Sequence, residues 1–134
     1  MANKIKSYIL FIHIKKNLGV RIGALGVKFF PKGYYLYIGS GKKYLTERLK
    51  RHLKMTKSKY WHIDYLLSKR DVNISDIFVS EKTENQLVKK AQNSKGVKPH
   101  LDKFGASDSK NITHLFYAKN KSAIEKIKKQ VYKW

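Results

Sequence analysis

The chain has 134 residues with no break in composition, 42% of them hydrophobic and 13% aromatic, which fits one domain with a single core and argues against disorder. Thirty Lys and Arg against nine Asp and Glu give a formal net charge of +21, so a polyanion such as nucleic acid is the first partner class, ahead of an anionic membrane. With no cysteine there is neither a disulfide framework nor a thiolate metal site, and any metal falls to carboxylate, histidine or water.

Ser7 to Ile14 is a β-branched and aromatic run that predicts a buried strand. It is short, contains His13 and lacks a small-residue cleavage site, so it reads as neither a signal peptide nor a membrane span, and the chain reads as cytoplasmic. Val20 to Ile22 and Val27 to Phe30 flank Gly23-Ala24-Leu25-Gly26, the pattern of a small hairpin. Pro31-Lys32-Gly33 then turns into the strand Gly33 to Ser40. Its alternation sets Tyr35, Tyr37 and Gly39 on one face and Tyr34, Leu36 and Ile38 on the other, with one face expected in the core and the tyrosine face expected to be wetter.

Leu45, Leu49 and Leu53 recur every four positions and predict an amphipathic helix to about Met55, with Arg48 and His52 on the flank of its stripe, at the seam with the sheet. Ile63, Leu66 and Leu67 predict a second helix from Tyr60 to about Arg70, and Ile74 to Ser80 a third main strand. Thr83 and Gln86 make a capping-box pattern opening a third helix. On that helix Glu84, Leu87, Val88 and Ala91 share a face. A carboxylate turned inward must be paired, bound to a cation or neutralised, whereas one at the edge merely complements the helix dipole. Asn93 to Asp108 reads as a loop and Ile112 to Ala118 as a final strand. Ser122 to Glu125 reads as a second capping box, opening a basic C-terminal helix of about residues 122–132 with Ile124, Ile127 and Val131 inward.

A phosphate-binding Gly-Lys-Ser/Thr loop, a nucleophile elbow and a paired-histidine zinc motif are all missing from the sequence. Of the five histidines, His52 and His62 stand out because both border apolar helix faces near the cationic cluster. Tyr37-Ile38-Gly39 is a literal YIG, preceded by a strand tyrosine at Tyr8 and followed by Arg48 and Glu84 on successive helices. This order resembles the GIY-YIG nuclease superfamily. The blocks Gly33 to Ser40, Arg51-His52-Leu53, Trp61 to Leu66 and Phe104 to Asp108 are similar to an uncharacterised archaeal and bacterial branch of it, a domain of unknown function sometimes fused to endonuclease III-type repair proteins. The similarity runs from about Tyr8 to Tyr117, and the long spacing from Tyr8 to Tyr37 marks the Val20 to Phe30 segment as an insertion.

The resemblance implies an α/β (α+β) domain spanning residues 1–134, with a three-stranded antiparallel central sheet, an inserted hairpin and flanking helices. It also implies a Mg²⁺- or Mn²⁺-dependent endonuclease that hydrolyses phosphodiester bonds of DNA, favoured over RNA, with a DNA-repair protein as partner. Glu84 would bind the metal, and Tyr37 or Tyr8 would orient or activate the attacking water. Arg48 would stabilise the extra phosphoryl charge, and His52 would transfer a proton or touch phosphate. Gly39 would allow a close approach of backbone and substrate, while Lys42, Lys43, Arg51, Lys54, Lys57 and Lys59 would contact phosphates. Two alternatives stay open from the residues themselves: a nucleic-acid-binding module without useful turnover, and a basic structural protein of an RNA particle.

Overall fold

Ser7–Ile14 (β1) is apolar at successive positions, and such a strand needs cover on both faces as well as a partner at each edge. The computed structural model describes residues 5–41, 45–53, 62–101, 104 and 113–134, and in it β1 is an interior strand of the main sheet. It pairs antiparallel with Gly33–Ser40 (β4) on one side and with Val72–Ser80 (β5) on the other. Leu115–Ala118 (β7) joins the far edge of β4, and Lys98–Pro99 (β6) joins β7, so the five-stranded order is β5-β1-β4-β7-β6. The three expected central strands are present. The additional strand β6 lies inside the stretch read as a loop, since two residues ending in an edge proline carry no periodic signal.

Both faces of this sheet are core. Tyr8, Leu10, Ile12, Tyr35 and Tyr37 face Leu45–Leu53 (α1) and His62–Leu67 (α2), while Ile9, Phe11, Leu36 and Ile38 face Glu84–Gln92 (α3) and Lys121–Lys133 (α4). The expectation of a wet tyrosine face is therefore corrected: Tyr35 is 0% and Tyr37 6% exposed. A phenol is amphipathic and tolerates burial once its hydroxyl is satisfied, as Tyr35 is by donating to the Pro31 carbonyl at 2.5 Å.

Leu18–Arg21 (β2) and Val27–Phe30 (β3) form the expected hairpin as a separate two-stranded sheet. A single 3₁₀ turn, Gly23–Leu25, joins them, and Gly26 at φ 78° supplies the left-handed step that closes it. Val20, Ile22 and Phe30 bury one face of the hairpin against the tyrosine side of the main sheet.

Helix α1 corrects the leucine stripe. Each step of four residues advances about 40° around a helix, so Leu53 has drifted about 80° from Leu45, while His52, seven residues on, lies within about 20° of it. Leu45 and Leu49 pack inward, Leu53 is 58% exposed, and His52 takes the buried position. The Thr83 capping box forms as expected, with Gln86 N–H donating to Thr83 Oγ1 at 3.2 Å and Thr83 N–H donating to Gln86 Oε1 at 2.8 Å. The Ser122 box does not open α4. That helix begins a residue earlier with Asn120 in the cap position, which leaves Ser122 already inside the first turn. Among the described residues, no helix is long and apolar enough to cross a membrane.

Candidate functional site

At one end of the β1–β4 ladder Tyr8 lies opposite Gly39. The Tyr8 ring covers the glycine so closely that an added Cβ would overlap its atoms. Gly39 is thus required for the seating of Tyr8, and the space above it belongs to the protein. Helix α1 brings His52 down onto the same spot, with Nε2 2.8 Å from the Tyr8 hydroxyl. Tyr37 stands edge-on to the His52 ring at 6.1 Å between centroids, and Phe104 stands edge-on to Tyr37 at 6.2 Å. His62, from α2, completes the group 5.6 Å from Phe104. Tyr8 and His52 are each 2% exposed.

A phenol and an imidazole at this distance share one proton along a defined line, and the histidine tautomer decides which of them donates. With Nδ1 protonated, His52 accepts from Tyr8 and raises the basicity of the phenolic oxygen. With Nε2 protonated, the direction reverses. The pair therefore has the composition of a proton relay.

One step along the ladder, on the opposite face, Ser7 faces Ser40. Ser7 Oγ donates to the Lys82 carbonyl at 2.5 Å, which ties the approach to α3 onto the start of β1. This bond brings the first turn of α3 to the sheet's end. Glu84 there lines an open cleft with Lys6, Ser40, Thr83 and Asn85. Its Oε1 lies 3.8 Å from His114 Nε2, and its side chain is 27% exposed against 5% for His114. Glu84 is thus a rim residue at a helix N-terminus, where the dipole favours a negative charge, and not a core residue. Backbone geometry couples His114 to the ladder, its carbonyl accepting from the Ile38 N–H at 3.0 Å.

The structure thus gathers Tyr8, Tyr37, His52 and Gly39 on the α1 and α2 side, and sets Glu84 one ladder position away on the α3 side. Arg51, expected at phosphate, instead binds Asp64 in α2 at 2.9 Å, where Asp64 is 0% and Arg51 27% exposed. That ion pair fastens α1 to α2 just beside His52. Arg48 belongs to α1 one turn before His52, but its side chain lies outside the described residues, as do Lys42, Lys43, Lys54, Lys57, Lys59 and Asp108.

Sequence reasoning missed His114 and Asp64. Asp64 had a signal, a carboxylate inside the apolar run Ile63 to Leu67, which calls for a cation nearby. His114 had none, because its tie to Glu84 is made by strand register across 30 residues (114 minus 84).

Another cluster sits at the opposite end of the ladder. His100 Nε2 is 2.9 Å from the Phe29 carbonyl, and its ring packs among Phe30, Tyr35 and Tyr117. Burial, reinforced by the charge of Lys98 and opposed by the Phe29 hydrogen bond, holds its imidazole below the usual histidine range. Burial above all, with Tyr117 adding to it, pushes the Tyr35 phenol far above its ordinary range and removes it from acid–base chemistry.

Among the described residues, no group of three or more His, Cys, Asp or Glu is gathered. Glu84 with Ser40 and Asn85 offers a sparse oxygen donor set in an open cleft. Such a set fits a hard cation that keeps most of its water shell, and does not fit one that needs a complete protein cage.

A family model described as "Domain of unknown function DUF123" matches residues 7–134, so the match takes in both halves of the site. No curated protein and no solved structure matches the chain.

Proposed function

This chain belongs to the DUF123 family, whose description assigns no function, and we propose from its site that it is a GIY-YIG-like endonuclease, hydrolysing phosphodiester bonds of DNA with a divalent cation. The observation that carries this reading is the 2.8 Å contact between the Tyr8 hydroxyl and His52 Nε2, made over the glycine of Tyr37-Ile38-Gly39 and one ladder position from the Glu84 cleft. A buried phenol needs a partner for its hydroxyl in any case, and an imidazole is a partner that can also take its proton.

In the proposed reaction the Tyr8 oxygen takes a proton from the attacking water as its own proton passes to His52 Nε2. The hydroxide formed attacks phosphorus as the P–O bond to the leaving oxygen breaks. Tyr37 orients the water. Glu84 would hold Mg²⁺ or Mn²⁺, which when bound polarises the phosphate and stabilises the leaving oxygen. Arg48 would bind the phosphoryl oxygens that gain charge in the transition state. The net charge of +21 supports a polyanionic substrate, held through phosphate contacts that position without reading sequence.

The test is cleavage of branched, nicked and single-stranded DNA, with Mg²⁺ or Mn²⁺ supplied and then withdrawn with EDTA. The parent is expected to cut in the metal-dependent arm. Tyr8→Phe, which keeps the ring over Gly39 and loses the hydroxyl, is expected to slow cutting about 10²- to 10⁴-fold. Glu84→Gln is expected to abolish cutting while leaving binding in EDTA intact. The burial of Tyr8 and His52 favours a second reading, a nucleic-acid-binding module without turnover, because a nucleophilic water must reach the phenol. Unaltered binding with no metal-dependent cutting in the parent would establish that module and remove the nuclease.

A further inference from the structure

The β2–β3 hairpin has one face fixed and one face open. Inward, Phe30 and Ile22 are 0% and Val20 2% exposed. The bond from His100 to the Phe29 carbonyl and a bond from the Lys32 N–H to Asn17 Oδ1, 2.8 Å, hold its base. Outward, the register places Phe29 opposite Gly19 and Val27 opposite Arg21. Phe29 is 57% and Val27 62% exposed. The glycine leaves the flank of the Phe29 ring without a cross-strand side chain, so an aromatic ring stands on a braced backbone with an open flank and a guanidinium-bearing neighbour.

The surrounding charge selects what covers that ring. From Leu18 to Lys32 the hairpin carries Arg21, Lys28 and Lys32 and no Asp or Glu. A second copy of this chain would bring like charge to such a segment, and an acidic protein would answer the cations alone, whereas a nucleic-acid strand brings both phosphates for the cations and a flat base for the ring. We infer that the hairpin is a nucleobase-stacking platform: Phe29 receives an unpaired base while Arg21 and neighbouring lysines take the flanking phosphates. This deepens the proposed function, on which it rests for the class of ligand, by naming unpaired or distorted strands as the favoured substrate. A fully paired duplex, whose bases are already stacked on each other, gains nothing from the ring.

The experiment uses the full chain in EDTA, so that no cutting intervenes, with a single-stranded oligonucleotide carrying 2-aminopurine and a fully paired duplex of equal length. Phe29→Ala is expected to weaken single-strand binding about ten- to a hundredfold and duplex binding less than about twofold, with loss of the 2-aminopurine response. Phe29→Trp restores both. An unchanged thermal midpoint for Phe29→Ala, expected for so exposed a side chain, shows that the fold is intact. Equal single-strand affinity for parent and Phe29→Ala overturns the inference. So does a loss confined to binding of phosphatidylserine vesicles, which would assign the ring to a membrane surface. If the parent shows Phe29-dependent binding and never cuts, the nuclease fails and the platform stands. If the parent cuts and Phe29→Ala binds and cuts as well as it does, the platform fails and the nuclease stands.

Discussion

A methyl group at Gly39 has nowhere to go except into the Tyr8 ring, and that ring is held from above by His52. Gly39→Ala is therefore expected to cost about 1–3 kcal/mol in urea unfolding and to break the Tyr8 to His52 contact, whereas Ala at open Gly26 disturbs no neighbour and strains only its own backbone. His100 makes a second prediction. Its folded-state pKa is depressed below the unfolded value of about 6.5, so the folded chain resists a proton that the unfolded chain accepts. Its stabilising contribution is present above that unfolded value and is lost as pH falls through the depressed one. Urea unfolding of the parent between pH 7.5 and 5.5 is expected to show a larger drop than that of His100→Gln. At this scale the sequence was partly readable. His52 declares itself through helical spacing, which is a local rule, whereas Tyr8 and Tyr37 stand out as site residues through the resemblance of the YIG run and its preceding strand tyrosine to a known motif. Glu84 was found, but its companion His114 and its place on the rim follow from register between distant strands, and no local pattern encodes register.

Two capping boxes of equal quality in the sequence differ in the folded chain, and this separates what an element inherits from its own residues from what its neighbours impose. Thr83 is a working cap, so Thr83→Ala is expected to lower stability by about 1 kcal/mol in urea unfolding. Ser122 sits inside α4 and makes no cap, so Ser122→Ala is expected to change stability by no more than a few tenths of a kcal/mol. Element identity was otherwise legible: the four described helices follow from apolar spacing, because burial on one side writes a period into the sequence, while the hairpin follows from its glycine turn and the central strands from β-branched and aromatic runs. Where burial comes from both sides the period is lost. Gly33–Ser40 therefore shows its length and type but not which face is wet, and Tyr35 turned out to be as deeply buried as Leu36.

At the scale of the molecule the net charge of +21 acts on stability before it acts on any ligand. Like charges repel within a compact chain, and salt screens them over about 10 Å at 0.1 M. The thermal midpoint is expected to rise as NaCl increases from 20 to 300 mM, while affinity for any oligonucleotide falls steeply over the same range as released counterions lose their entropic advantage. A midpoint that is flat or falls with salt would show that the cations are already paired within the fold. Charge of this size is legible from composition alone, but where it concentrates is a property of topology. The sequence order of the strands has a consequence in time as well. The interior strand β1 meets β4 across a short stretch of chain and β5 only across more than fifty residues, so in folding β4 closes one edge of it early and the other edge waits for β5. Through that interval an apolar strand stands with an open edge, the template that other chains can join. Refolding yield from denaturant is therefore expected to fall as chain concentration rises, and the vulnerable species is a partly built sheet awaiting its last central strand.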